Sequence, residues 1–177
     1  MKKSILLLSM LAVLVSCNGN KKMETTSTTV VDSTVVSKND MLEKNKATAL
    51  AAEDAFNSHD VNALMMYVAD DAVDYGDASM EPIKGKEAIS KNLQSYFSAF
   101  PDVKGTHTVV LSEGNHVAVF SEYQGTNKGE MMGMKPTGKS VKFNDADLFT
   151  FNDEGKITEH RAVQNFGNVM MQSTMKK

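Results

Sequence analysis

The sequence predicts an α+β domain, helices first and an antiparallel sheet after them, on three observations. Between Met41 and Phe100 apolar residues recur at helical spacing. Beyond Pro101 the apolar period changes to two. Gly114-Asn115 and Asn152-Asp153-Glu154-Gly155 punctuate the period-two segments as turns. Helices that precede a run of strands pack on one face of a curved sheet.

The chain begins with Lys2 and Lys3, an apolar run from Ile5 to Val15, and then Ser16-Cys17. A charged front and an apolar middle too short to span a bilayer mark residues 1–16 as a secretory signal. Residues 17–40 are polar, lack aromatics and have no lasting period, so they read as a solvated tether. Thr29-Val30-Val31 and Thr34-Val35-Val36 have strand-forming composition but no covering face.

The domain is expected over residues 41–172, with a short tail at 173–177. Leu42, Ala49, Ala52, Ala55 and Phe56 place a first helix from Met41 to Ser58. His59-Asp60 breaks it, and Asp60 can N-cap a second helix carrying Leu64, Met65 and Tyr67. Ala72 to Tyr75 is a short strand followed by the turn-rich Gly76–Ser79. Lys86 to Phe100 sets Ile89, Leu93, Tyr96, Phe97 and Phe100 on one helical face, and Pro101 stops it. Four strands follow, at His107–Glu113, His116–Gln124, Ser140–Phe151 and Lys156–Gln164.

A net charge of −3 without a basic block excludes a nucleic-acid partner. One cysteine leaves no disulfide to staple the fold, so a core drawn from 41% apolar residues holds it. The last strand aligns Ile157, Glu159, Arg161, Val163 and Asn165 on one face; the strand before it aligns Val141, Phe143, Asp145, Asp147, Phe149 and Phe151. Carboxylates among large apolar residues need partners. An Asp147–Arg161 pair facing the interior is therefore expected, with Asp145 nearer the mouth. In a catalytic version Arg161 grips a substrate carboxylate or enolate while Asp147 orients it or shuttles a proton. The alternative is a satisfied ion pair, or a register that turns both aspartates to water.

Tyr123 shares a face with Val117, Val119 and Ser121 and can orient a ligand through its hydroxyl. Tyr96 and Phe97 read as core. His59 reads as a cap or surface residue, His107 and His116 start strands, and His160 points away from the Arg161 face. No zinc or calcium ligand spacing occurs. Thirteen methionines offer soft ligands for Cu(I), although flexible filling of a core or cavity is their commoner use.

Several segments together resemble one family. They are Ala55-Phe56-Asn57-Ser58-His59-Asp60, Phe100-Pro101-Asp102, Gly125–Glu130, Lys135-Pro136-Thr137-Gly138-Lys139 and Asp153–His160. Their order and spacing resemble the SnoaL-like branch of the nuclear transport factor 2-like fold. The resemblance implies a cone, a strongly bent sheet closed at one end by about three helices around an apolar pocket. It also implies polar pocket residues near Tyr75 and Asp77, no metal and no cofactor, and possible pairing of two copies through the outer sheet face. Polyketide cyclases of that branch use a pocket aspartate as acid and base, in a pattern close to Glu-His-Trp-x-Val-x-Asp. Here the stretch reads Glu159-His160-Arg161-Ala162-Val163-Gln164-Asn165. An amide at Asn165 cannot take that proton, which leaves Asn165 a ligand-binding candidate. Similarly, Leu14-Val15-Ser16-Cys17 resembles a bacterial lipobox, implying cleavage before Cys17 and acylation of its thiol. Asn18 is not the aspartate of inner-membrane retention, so the expected address is the outer membrane of a bacterial envelope.

Three functions fit these residues: a receptor for a small, mostly apolar molecule, a cofactor-independent ester cyclase or isomerase, and a dimerising interaction domain. Lipidation has a direct readout. Cells fed a palmitate analogue should label the chain, and Cys17→Ala should lose the label; a label that survives the substitution refutes acylation at Cys17.

Overall fold

Alanine has the highest helix propensity, and the alanine-rich stretch of the chain forms the buried stripe of α1 (Ser33–Asn57) in the computed structural model. Ala49, Ala52 and Ala55 are buried there with Asn45 and Glu53. The structure describes residues 33–131 and 133–174. The expected signal at 1–16, Cys17, the first part of the tether and the end of the tail lie outside the described residues. α1 starts at Ser33, inside the stretch expected as tether. Ser37 to Asp40 are exposed. Extending a nucleated helix costs little per residue, which is why polar sequence can join it.

Asp60 Oδ1 accepts from the Ala63 N–H at 2.9 Å and caps α2 (Val61–Met65) as expected. His59 has φ +57°, stacks on Phe97 and sets Nε2 2.8 Å from the Val103 carbonyl. It is thus a turn residue tied to the core. Then come β1 (Val68–Asp74), β2 (Ile83–Lys84), α3 (Lys86–Ala99), β3 (Lys104–Glu113), β4 (His116–Thr126), β5 (Ser140–Phe151), β6 (Ile157–Ala162) and α4 (Phe166–Thr174). β2 and α4 were not expected. β2 is too short for a period to show, and α4 is held by Val169 and Met170, both fully buried.

The six strands form one curved sheet in the order β2-β1-β6-β5-β4-β3. Neighbours are antiparallel except β1 and β6, which run parallel and join the helical half of the chain to the end of the strand run. This is the α+β cone that the resemblance implies. One hydrophobic cluster joins α2, α3 and α4 to the sheet through residues such as Met65, Phe97, Phe100, Val141 and Met170. A second lies under α1, where Ala49 and Ala52 meet Val117, Val119, Phe149, Phe151 and Ile157. Each large side chain buried this way contributes about 1.5–3 kcal/mol.

Two local details position the site. Between β5 and β6, Thr150 pairs with Glu159 but Phe151 pairs with Ile157, so Thr158 is an extra residue. Such a bulge reverses which side chains face inward beyond it. At the other side of the cone, Asn57 ends α1 and brackets Gly105: its Nδ2 donates to the Gly105 carbonyl at 3.0 Å, and its Oδ1 accepts the Gly105 N–H at 2.7 Å. The Tyr123 ring lies against Gly105 so closely that a Cβ there would fall 2.5 Å from its Cε1. Gly105→Ala should therefore push the ring aside and cost about 1–3 kcal/mol in urea unfolding. An unchanged midpoint would mean that Tyr123 is not seated as described.

Candidate functional site

The helices and the concave sheet face enclose a cavity of about 550 Å³. Its walls are apolar, from Phe56 on α1, Leu64 on α2, Ile89 and Leu93 on α3, and Phe143 and Phe149 on β5. Its floor is polar. Glu53 comes from the buried stripe of α1, Tyr123 from β4, Asp147 from β5, His160 from β6 and Asp74 from the end of β1.

These five side chains form one continuous hydrogen-bonded chain. The Tyr123 hydroxyl lies 2.9 Å from Glu53 Oε2 and 2.9 Å from Asp147 Oδ2. A phenol has one proton and can donate to only one of them. Burial, followed by the nearby Asp147 charge, pushes the Glu53 pKa up to about 8, against the Tyr123 hydrogen bond and the His160 charge. Glu53 is therefore protonated near neutral pH and donates to Tyr123, which donates to Asp147. On the other side, His160 Nε2 donates to Asp147 Oδ1 at 3.1 Å and Nδ1 to Asp74 Oδ1 at 2.9 Å. Donation from both ring nitrogens requires an imidazolium. Burial opposes that charge, but hydrogen bonds to Asp147 and Asp74 outweigh it and hold the His160 pKa well above its usual value. Burial works against ionisation of Asp74 as well; the His160 hydrogen bond and charge and the Gly76 N–H overcome it and hold Asp74 low. Burial and the Asp147 and Glu53 carboxyls raise Tyr123, so it remains a phenol.

Asp145 stands apart from this chain in the cavity wall. Its Oδ1 accepts three backbone N–H groups, from Ala146 at 2.7 Å, Gln164 at 2.8 Å and Val163 at 3.1 Å. Burial and the Asp147 charge raise its pKa, and those three donors oppose the rise. No described residue donates to its other oxygen.

The structure brings together Asp147, Tyr123, Asp145 and Tyr75 on the cavity lining. It does not bring Arg161 or Asn165 there. The expected Asp147–Arg161 pair is absent: Arg161 Nη2 is 3.4 Å from Glu159 Oε2, and its Cζ lies 3.7 Å from the Tyr75 ring centroid. The bulge at Thr158 is the physical reason, because it turns His160 and Ala162 inward and Arg161 outward. His160, expected outside the pocket, takes the place assigned to Arg161. Asn165 lies past the end of β6, exposed, with its carbonyl accepting from Val169 N–H in α4. Glu53 and Asp74 were not expected at all. One signal was available for Glu53, which shares the helical face of Ala49, Ala52 and Phe56 and so occupies a core position. Among the described residues no cluster of histidine, cysteine and acidic side chains has the geometry of a metal site.

This architecture has known counterparts. The family model of the SnoaL-like polyketide cyclases matches residues 46–173. The chain belongs to that family. A candidate SnoaL-like polyketide cyclase from Jannaschia sp. CCS1 superposes with a TM-score of 0.71 at 23% identity, over 77% of this chain and 96% of that one. IdmH, a candidate polyketide cyclase from Streptomyces antibioticus, gives 0.62 at 25% identity over 74% and 99%. A protein of ketosteroid isomerase-like fold from Catenulispora acidiphila, solved with trimethylamine, gives 0.61 at 23% identity over 73% and 93%. No curated protein matches the chain.

The buried proton on Glu53 makes stability depend on pH. Between its ordinary 4.5 and the folded value of about 8, the folded state holds a proton that the unfolded chain has lost, so stability falls as pH rises through that window. His160 acts in the same direction, its contribution complete below 6.5 and lost as pH rises through its raised folded value. Glu53→Gln keeps the shape without the titration. Relative to wild type it should gain on the order of 3 kcal/mol in urea unfolding between about pH 5 and pH 8. Identical pH profiles for the two proteins would rule out a proton on Glu53.

Proposed function

We propose that this chain is a lipoprotein of the bacterial envelope, held through Cys17 at the outer membrane, whose cone domain binds a small, mostly apolar molecule. The cavity supports this reading most directly: about 550 Å³ of space with apolar walls and polar groups gathered at one end. That volume is the size of a small-molecule site, where apolar burial supplies affinity and a few polar groups set orientation. Most polar atoms of the floor are paired within it. Tyr123, Asp147 and His160 spend their donors and acceptors on each other, which suits a rigid binding surface better than a base awaiting a substrate.

A second reading, a cofactor-independent isomerase or cyclase, has one observation behind it. Asp145 has one oxygen fixed by backbone donors, leaving the other to accept a proton from a bound carbonyl compound. Pairing of two copies through the outer sheet face is supported by exposed Val109 and Leu111 on β3 and Phe120 on β4.

Binding is testable with a neutral hydrophobic dye, N-phenyl-1-naphthylamine. The protein should enhance its fluorescence saturably, and Leu93→Trp, which fills the cavity, should weaken binding by about tenfold or more. Equal binding by both proteins would place the dye elsewhere and remove the cavity as the receptor site.

A further inference from the structure

The charges around the cavity are one-sided. Asp77, Glu81, Glu130 and Asp145 all line it, Glu81 and Glu130 exposed and the two aspartates half-buried. None of the described lysines, nor the single arginine, lines the space. Arg161 is spent on Glu159 and lies over Tyr75. His160 is the one lining group that carries positive charge, and Asp74 and Asp147 enclose it. With Glu53 neutral, that floor still carries one net negative charge. An anionic ligand would thus meet a negative field with no unspent cation to offset it, only neutral donors such as Asn92 and Tyr75.

Asp145 completes the argument. Three backbone N–H groups converge on its Oδ1 and fix the plane of the carboxyl, yet its second oxygen accepts nothing from any described residue. A carboxylate partly withdrawn from water and left without a cation is costly, whereas a ligand cation beside it satisfies both charges. The same space has aromatic walls, with Phe56, Tyr96 and Phe143 all lining it. Aromatic faces attract cations and accept the alkyl groups around a nitrogen. Neutral ligands gain the walls but leave Asp145 unpaired.

We propose that the polar head of the bound molecule is cationic, an amine or quaternary ammonium on an apolar body, with Asp145 as its counter-ion. This rests on the cavity being a binding site, as proposed above. Three probes share one apolar body: 2-(1-naphthyl)ethylamine, 2-(1-naphthyl)ethanol and 1-naphthylacetate. At about pH 7 and low salt, calorimetry should show the amine binding about tenfold or more tighter than the alcohol, with the carboxylate weakest. Asp145→Asn should remove the amine's advantage over the alcohol, and its urea-unfolding midpoint against wild type reports whether the variant is folded. Should that variant not fold, wild-type protein titrated toward pH 4 should lose the advantage, and Glu81→Gln/Glu130→Gln at neutral pH should keep it, which separates Asp145 from the other lining carboxylates. An alcohol or carboxylate that binds as tightly as the amine overturns the inference and leaves the cavity reading intact, as does an amine preference that survives loss of the Asp145 charge. Binding of none of the three overturns both.

Discussion

The interior of this domain is organised by one proton-ordered chain, Glu53–Tyr123–Asp147–His160–Asp74, which ties α1, β4, β5, β6 and β1 together. Its direction is not arbitrary. One phenol proton has two carboxyl neighbours, so one carboxyl must be protonated, and the more deeply buried Glu53 is the one whose environment favours it. At the other end an imidazole between two carboxylates is stable only as a cation. Removing one member of such a network leaves a buried charge uncompensated, typically at a cost of about 3–5 kcal/mol. Five elements separated in sequence are thus held in one register by the same few bonds.

That register explains which parts of the site could be read from the chain. Residues 140–151 alternate so regularly that β5 was expected at its observed boundaries, with Asp145 and Asp147 on the inner face. Beyond the next turn the same rule failed. Ile157 faces inward and is buried, as alternation requires, but Val163, assigned to the same face, is 75% exposed. A single inserted residue at Thr158 separates the two. Nothing in the composition of Ile157–Ala162 marks it, because a bulge of this kind needs no glycine and leaves the run of strand-forming residues intact. The error therefore passed to both residues read from that strand, Arg161 and Asn165.

Non-local pairing hid the rest. Asp74 meets His160 only because β1 lies parallel to β6, a pairing that bridges the helical and the strand-rich halves of the chain. Sequence periodicity describes one element at a time and contains no information on such a neighbour. Tyr123 was legible as an inward tyrosine in need of a partner; its partners were not, since one of them sits on a helix. Glu53 shows the limit from the other side, a charged residue at a core position, where it is readily taken for part of a solvated face.

The departure at Asn165 and the presence of the buried chain belong together. In the chain as folded, Asn165 lies outside the cavity at the start of α4, so an acid or base at that position would have no access to a ligand in the cone. The proton-handling groups are instead sunk in the floor, where the Tyr123 hydroxyl, both Asp147 oxygens and both His160 nitrogens already have partners. A closed network of this kind shapes a field without exchanging protons readily, because moving any one proton leaves a neighbour unsatisfied. Asp145, outside that network, keeps one oxygen to which no described residue donates. A cation seated on that oxygen would occupy the position a substrate proton needs, so the two proposed uses of Asp145, counter-ion and base, are mutually exclusive for one ligand.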